Sequence, residues 1–229
     1  MRQRAAAARA ALDTLRAEKQ ERARTHAKAE AAKSEPKASL SDPEARHMRF
    51  ADGAIRPAYN AQIAAAAGPG IIVSVAMTER RNDAGLAVPM VADIVQRYGI
   101  APQRLLVDTN YATSEDIAAL AGHAAGPVAV FAPPPGERED VKPATLARRA
   151  KARAQEPDSI KEWRVRMASA AGQAIYRPRL LIERINADRK NHGFGFIAVR
   201  GLVKAKAVAL LHALANNLMA AHRLRTRAA

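Results

Sequence analysis

The sequence predicts an α/β fold in which helices cover a mixed sheet. Short apolar runs alternate with segments of helical period over residues 59–131, as expected for strands and helices that pack on each other. The run at residues 71–77 is rich in β-branched residues and follows Gly68-Pro69-Gly70, which predicts a hairpin. Aromatic residues make up only 4% of the 229 residues, so we expect a modest core.

The elements of this fold follow from residue 59 onward. Two hairpin strands, a helix, a strand, a helix and a strand are predicted at residues 59–66, 71–77, 83–99, 105–107, 114–122 and 128–131. Asn82-Asp83 and Thr113 or Ser114 supply side-chain oxygens that cap helix N-termini. Gly99 and Gly122 are typical helix stops.

Residues 133–157 are rich in Pro, Arg, Glu and Asp and have no apolar period. We predict a mobile charged insertion there. Helices are predicted again at residues 158–167, 176–190 and 202–224. Pro178 fits only the first turn of its helix, and Gly193 should end it. The last helix has an apolar face traced by Val203, Ala207, Leu210, Leu211, Leu214, Leu218 and His222.

Residues 1–40 differ in composition from the rest of the chain. The first 33 are dominated by Ala, which favours helix, but Leu12 and Leu15 are their only leucines. We therefore predict a basic helical arm that projects or frays, followed by a polar, proline-containing linker. Residues 41–229 then form the main domain.

The charge balance indicates what kind of partner the chain binds. The chain has 37 Lys and Arg against 22 Asp and Glu, a formal charge of +15, which suggests a polyanion. It has no Cys, which excludes disulfide scaffolds and zinc sites built on thiolates. No window holds the 18 or more apolar residues of a membrane-spanning helix. We expect a cytoplasmic, bacterial protein.

Two carboxylates lie where chemistry could occur. Asp108 follows the strand predicted at 105–107, and Glu183 lies within the helix predicted at 176–190. Carboxylates from a strand end and a nearby helix can hold divalent cations for phosphoryl transfer. Spacing alone favours plainer alternatives, in which Asp108 forms a turn and Glu183 makes a surface ion pair with Arg179 or Arg184.

A four-residue motif in the same helix favours the catalytic interpretation over these alternatives. Tyr176, Arg179, Glu183 and Lys190 follow the pattern Tyr-x2-Arg-x3-Glu-x6-Lys, which resembles the signature of DDE transposases from bacterial insertion sequences. Separations of three, four and seven residues place these side chains on one helix face. The resemblance implies that Glu183 is the third metal-binding acid, and that the other three contact or orient transposon-end DNA.

Further segments resemble the same family over residues 41–225. Residues 106–111 resemble the segment that carries the second catalytic Asp, which places Asp108 in that role, although Asn110 replaces the usual Gly. The other similar segments are 42–46, 57–62, 71–73, 82–83, 89–90, 163–167, 199–202 and 214–218. The resemblance implies a ribonuclease H-like mixed sheet flanked by helices, a carboxyl-terminal helical segment, and Mg²⁺ or Mn²⁺ bound by Asp108 and Glu183.

Positive charge is concentrated around the motif. Residues 177–227 hold eleven Lys or Arg and two acids. A run of this kind is often only a solvated face, but its position beside Glu183 favours phosphate contacts. Arg184 and Arg200 therefore join Tyr176, Arg179 and Lys190 as candidate DNA-binding residues.

One catalytic position departs from the family pattern. The first acid normally lies four positions after the Gln of the Tyr-Asn-x-Gln segment, and counting from Gln62 gives Ala66. Loss of this ligand should cost much of the metal affinity and most of the rate. A second hypothesis keeps the enzyme active, with Asp52 or Asp83 as the missing ligand.

The resemblance therefore implies a transposase-family protein that binds double-stranded DNA at transposon ends, with a homo-oligomer on DNA as one arrangement. Because the family usually carries an amino-terminal helical DNA-binding region, we expect this chain to be a carboxyl-terminal portion that cuts DNA poorly or not at all. The alternative is a non-catalytic basic DNA-binding protein, such as a regulator that competes with a full-length transposase.

Overall fold

The computed structural model describes residues 2–25, 35–50, 52–135 and 143–228. Its helices are α1 (Arg2–Thr25), α2 (Ala87–Tyr98), α3 (Ser114–Ala121), α4 (Pro143–Ala154), α5 (Asp158–Ala168), α6 (Ala170–Tyr176), α7 (Leu180–Arg189) and α8 (Leu202–Ala228). Its strands are β1 (Arg46–Arg49), β2 (Ile55–Ala58), β3 (Asn60–Ala65), β4 (Ile72–Thr78), β5 (Arg104–Leu106) and β6 (Ala129–Phe131). The mixed α/β class predicted from the sequence is confirmed.

The strands pair in three separate two-stranded sheets. β1 and β2 are antiparallel, β3 and β4 form the predicted hairpin, and β5 and β6 are parallel. The prediction of one mixed sheet is therefore wrong for the strands that the structure describes. A physical reason lies in strand length, since β1, β2, β5 and β6 have only three or four residues and so offer few ladder hydrogen bonds.

The chain divides into two compact units. Unit 1 comprises Met1–Gln62, Val75–Asn82 and Arg189–Ala215, and unit 2 comprises Ile63–Ser74, Asp83–Asp188 and Asn216–Ala229. The candidate catalytic residues Asp108 and Glu183 both lie in unit 2, and so does Ala66.

The main core lies in unit 2, around β5, α3 and β6. In the parallel pair, Leu105 is opposite Val130 and Leu106 is opposite Phe131, and α3 supplies the crossover that parallel strands need. Helices α3, α5 and α6 pack on β6. The buried cluster contains Ala87, Val91, Leu105, Ile117, Leu120, Val128, Val130, Phe131, Ala132, Ile160, Trp163 and Met167.

Cap chemistry decides the helix ends in unit 2. The side chain of Thr113 accepts a hydrogen bond from the Asp116 amide, and Asp116 accepts one from the Thr113 amide, which is a capping box. Gly99 ends α2 in the left-handed conformation, with φ of 72°, as predicted. The predicted cap at Asn82-Asp83 is wrong, because α2 begins at Ala87 and the side chain of Leu86 cannot cap it.

Part of the predicted mobile insertion is helical. Residues 143–154 form α4, whereas residues 136–142 lie outside the described residues. Pro143 occupies the first helical position, where its missing N–H costs nothing, and Ala, Leu, Arg and Lys are good helix formers. The absence of apolar period indicated surface exposure rather than irregular structure.

The helix predicted at residues 176–190 is built from several shorter turns. α6 runs into a 3₁₀ turn at Arg177–Arg179, α7 follows, and a π turn occupies Lys190–Phe194. Pro178 lies in the 3₁₀ turn, at the start of the next helical segment. Gly193 has φ of 91°, which a residue with a side chain rarely adopts, so the predicted break is confirmed.

Unit 1 contains α1, which lies within the predicted helical arm, and the β1–β2 hairpin, which was not predicted from the sequence. Arg46 is buried in β1 and pairs with Glu18 of α1 and with Glu79, each at 3.1 Å. Ala8 and Leu15 on α1 are also buried. Helix α1 thus contacts β1 through Glu18 and buries Ala8 and Leu15, while most of its other side chains are exposed. Residues 26–34 lie outside the described residues.

The carboxyl-terminal helix α8 buries its small side chains and exposes its leucines. Its buried residues are Ala205, Ala209, Ala213, Asn216 and Ala220. Leu211, Leu214 and Leu218 are each more than half exposed. The apolar face traced in the sequence is thus the outward one, because small residues allow the opposite face to pack closely.

Candidate active site

The end of β5 positions the first candidate acid. The Val107 amide donates to the Phe131 carbonyl at 3.0 Å, which extends the β5–β6 ladder by one residue. The Asp108 carbonyl then accepts from the Tyr111 amide at 3.0 Å, forming a turn. The Asp108 carboxylate projects from this turn with its side chain 72% exposed. It is therefore accessible to solvent while its backbone is fixed.

The second acid lies in the first turn of α7. Glu183 is in that turn, where a negative charge is favoured by the helix dipole. Its Oε1 accepts a hydrogen bond of 2.7 Å from Nη2 of Arg179, four residues earlier. This is the pair that spacing alone had suggested.

Arg179 connects the two acids. Its Nη1 lies 3.2 Å from Oδ1 of Asp108, while Nη2 bonds Glu183. Its guanidinium carbon also lies 5.6 Å from the ring centroid of Tyr176, within the range of a cation–π contact. The structure thus brings together Asp108, Tyr176, Arg179 and Glu183, which we call the Arg179 cluster.

Electrostatics within the Arg179 cluster follow from this geometry. Burial raises the pKa of the Tyr176 phenol; Asp108 and Glu183 raise it further, while Arg179 opposes them. Burial works to lower the pKa of Arg179, but Tyr176, Asp108 and Glu183 outweigh it and the pKa is raised. With its pKa raised, the Arg179 guanidinium stays a cation at neutral pH.

Ala66, the position at which the resemblance implies the first acid, directly follows β3. The Ala66 amide donates to the Ile71 carbonyl at 2.8 Å, and its carbonyl accepts from the Gly70 amide at 3.1 Å. A β-carbon on Gly70 would lie 3.6 Å from Leu181 and 3.8 Å from Ile185 of α7. The turn after Ala66 is therefore close to the helix that carries Glu183.

Two asparagines of α8 hold the same turn, a role that the sequence analysis missed. Asn217 accepts from the Ile72 amide at 2.7 Å and donates to the Ile72 carbonyl at 2.8 Å. Asn216 donates to the Gly70 carbonyl at 2.9 Å. Adjacent asparagines inside an Ala- and Leu-rich helix were the available signal, because Asn is unfavourable there unless its amide has partners.

The two alternative acids, Asp52 and Asp83, have other interactions within their own units. Asp52 accepts from the Ala54 amide at 3.0 Å and pairs with Arg56 at 2.6 Å. Asp83 adds to the raised pKa of Tyr111, which is mainly due to burial. Over residues 2–25, 35–50, 52–135 and 143–228, no three His, Cys, Asp or Glu side chains form a group that could hold a metal ion. Asp83 therefore forms no such group with Asp108 and Glu183, which lie in the same unit, whereas Asp52 lies in unit 1.

The residues present do not fit a two-metal centre. Such a centre holds two ions about 4 Å apart through shared carboxylates, and Mg²⁺ requires oxygen ligands in near-octahedral geometry. The Arg179 cluster offers two carboxylates, and both already bind one guanidinium. The donor set therefore lacks one acid and includes a competing cation.

The other candidate DNA-binding residues lie on the surface. Arg184 is exposed on α7 in unit 2. Lys190 and Arg200 are exposed in unit 1, Lys190 at the start of the π turn and Arg200 just before α8. Lys190 thus lies beyond the end of α7, and the prediction that one continuous helix carries all four motif residues is wrong.

No described helix has the length and apolarity needed to cross a membrane.

Comparison with known proteins identifies the family. No curated protein and no solved structure gives a significant match to the chain. The family model for the transposase DDE domain matches residues 13–219, a range that contains Asp108, Ala66 and the Arg179 cluster. The chain therefore belongs to the transposase DDE domain family.

Proposed function

We propose that this chain binds double-stranded DNA at transposon ends and cuts phosphodiester bonds poorly or not at all. The observation that carries this proposal is the acid set, in which Asp108 and Glu183 are present and the expected first acid is Ala66. DNA binding depends on charge and survives the loss of that acid. The resemblance to DDE transposases implies that phosphodiester cleavage requires all three acids.

The ribonuclease H-like core remains part of this proposal. A βαβ unit with parallel β5 and β6, and an acid directly after β5, is compatible with it. We assign residues 41–229 to this catalytic-type domain and residues 1–40 to an appended helical arm and linker. A homo-oligomer on DNA and a cytoplasmic site of action complete the proposal.

Exposed basic residues supply the contacts to phosphate. Arg184, Lys190 and Arg200 are exposed, so a DNA backbone can reach them. Arg179 and Tyr176 are less accessible, because Arg179 is already bound to Asp108 and Glu183. We therefore assign direct phosphate contacts to Arg184, Lys190 and Arg200, and a structural contribution to Tyr176 and Arg179.

Binding of the full chain to a fluorescent 30-base-pair duplex tests the DNA assignment. Affinity should fall steeply with salt, and replacing one phosphate-contacting residue should reduce the slope of log K against log salt by about 0.9. Arg184→Gln is one such change, and Arg148→Gln, on the exposed face of α4, is its charge-matched control. An affinity that does not depend on salt would contradict the proposal.

A nicking and strand-transfer assay tests the catalytic assignment. The chain is incubated with the duplex and Mg²⁺ or Mn²⁺, and we expect no product above a protein-free control. Product formation that Glu183→Ala abolishes would show that two acids suffice and would overturn the claim of impaired cleavage.

A further inference from the structure

We propose that Arg179 is a built-in cation which takes the place of the metal ions in this site and keeps divalent cations out. This inference rests on the proposed function only in treating Asp108 and Glu183 as the remaining catalytic-type acids. It concerns how those acids are neutralised, and that can be measured without DNA.

The first support is the way in which one guanidinium serves both acids. Nη1 pairs with Asp108 at 3.2 Å and Nη2 with Glu183 at 2.7 Å. A guanidinium is planar and presents five N–H donors in a fixed fork. It can therefore hold two carboxylates at separate nitrogens, a bridging role that metal ions have in an intact centre.

The second support is burial. The Arg179 side chain is 16% exposed, whereas those of Asp108 and Glu183 are 72% and 55% exposed. The cation is thus the inner member of the cluster, and the two acids lie toward solvent around it. A divalent ion that approached both acids from solvent would meet the positive charge of Arg179 behind them.

The third support is that Arg179 is held from two sides. The Tyr176 ring lies 5.6 Å from its guanidinium carbon, and Tyr176 itself packs against the main core of unit 2. The 3₁₀ turn at Arg177–Arg179 leads directly into α7. This helical path places the side chains of Arg179 and Glu183 next to each other. Displacing Arg179 would break both ion pairs and the contact with the ring.

With Ala66 in the third position, the balance of charge favours the guanidinium. Two carboxylates and one Arg leave a net charge of one negative unit, which attracts a divalent ion less than the two negative units that a third carboxylate beside the same Arg would leave. Mg²⁺ also sheds its water reluctantly, and both acids would have to leave an existing partner.

Manganese binding to the full chain tests this inference. Free Mn²⁺ is followed by electron paramagnetic resonance as the protein is titrated, with no DNA present. We expect the native chain to leave Mn²⁺ free at concentrations up to about 1 mM. Arg179→Gln should bind Mn²⁺ at least tenfold more tightly, and adding Asp108→Asn should abolish that gain.

Matched variants separate this effect from general changes in charge or folding. Arg177→Gln removes the same charge from an exposed residue of the same 3₁₀ turn and should behave like the native chain. Arg179→Lys keeps the charge as a compact ammonium that lacks the fork, so it should bind Mn²⁺ with intermediate affinity. Circular dichroism establishes that each variant is folded, and Arg179→Lys provides the comparison if Arg179→Gln is not.

Two outcomes would overturn the inference. One is native protein that binds Mn²⁺ as tightly as Arg179→Gln, and the other is an equal gain for Arg177→Gln and Arg179→Gln. Because no DNA is present, these results are independent of the duplex-binding experiment. Loss of DNA binding would contradict the proposed function alone.

Discussion

Two strand ends of unit 2 are built alike but carry different side chains. After β5, the backbone of Val107 and Asp108 is fixed by bonds to Phe131 and Tyr111. After β3, the backbone of Ala66 is fixed by bonds to Ile71 and Gly70. Asp108 presents a carboxylate at the first end, whereas Ala66 presents a methyl group at the second.

Backbone hydrogen bonds hold both strand ends, with an acid at one and without an acid at the other. The backbone hydrogen bonds at the two strand ends do not involve the side chain of residue 66 or 108, although the Asp108 carboxylate also pairs with Arg179. Loss of the first acid is therefore expected to remove chemistry and leave the fold in place. The supports differ, however, because β5 rests on the apolar core and the turn after β3 is held by asparagines of α8.

The largest effect on stability is expected from a residue of the apolar core that supports β5 and β6. Trp163 is buried, and its Nε1 donates to the Ala132 carbonyl, directly after β6, at 3.1 Å. Trp163→Ala should lower the free energy of unfolding by about 3–5 kcal/mol, through a cavity and a lost hydrogen bond. Urea denaturation followed by circular dichroism measures this change.

Val165→Ala is the control for Trp163→Ala. Val165 lies on the same helix with its side chain mostly exposed, so its replacement should change stability by less than about 0.5 kcal/mol. Equal losses for both variants would show that α5 contributes through its helix alone and not through the buried ring.

A smaller loss of stability is expected from Asn217, whose hydrogen bonds hold the turn after β3. Asn217→Ala removes two hydrogen bonds to Ile72, at 2.7 and 2.8 Å, and leaves that amide and carbonyl without this partner. Each bond contributes about 1 kcal/mol, so we expect a loss of about 2 kcal/mol in the same denaturation experiment. Hydrogen exchange at the Ile72 amide should accelerate.

Asn191→Ala serves as the matched control for Asn217→Ala. Asn191 is exposed in the π turn, so its replacement should leave both stability and Ile72 exchange nearly unchanged. If Asn217→Ala were equally neutral, the turn after Ala66 would be held by its own backbone, and the contrast between the two strand ends would disappear.

Local signals in the sequence predicted the parts of this fold that depend on neighbouring residues. The Thr113 cap, the Gly99 stop and the Gly193 break each follow from one side chain or one backbone angle. The β1–β2 hairpin was missed because Pro57 is unusual in a strand and both strands are short. Its available signal was Asp52-Gly53, a common hairpin dipeptide, with Gly53 at φ of 80°.

The site was predicted in its parts but not in its arrangement. The segment at residues 106–111 predicted Asp108, and the motif spacing predicted Arg179, Glu183 and the i,i+4 relation between them. It could not show that Arg179 also reaches Asp108, because that contact depends on how α6 and the 3₁₀ turn pack beside β5. The number of sheets was missed for a similar reason, since strand pairing is a long-range property.

The smallest change in stability is expected from restoring the missing acid. Ala66 is partly exposed, and among the described residues only glycines have positive φ, so Asp fits its backbone without strain. Ala66→Asp should change the free energy of unfolding by less than about 1 kcal/mol. In the Arg179→Gln background, it should raise Mn²⁺ affinity about tenfold further, because a third carboxylate joins Asp108 and Glu183.

Ala67→Asp adds the same charge at the exposed neighbouring position and should give no such gain. An equal gain from both substitutions would show that charge alone attracts the ion, and that the end of β3 does not direct a ligand toward the two acids.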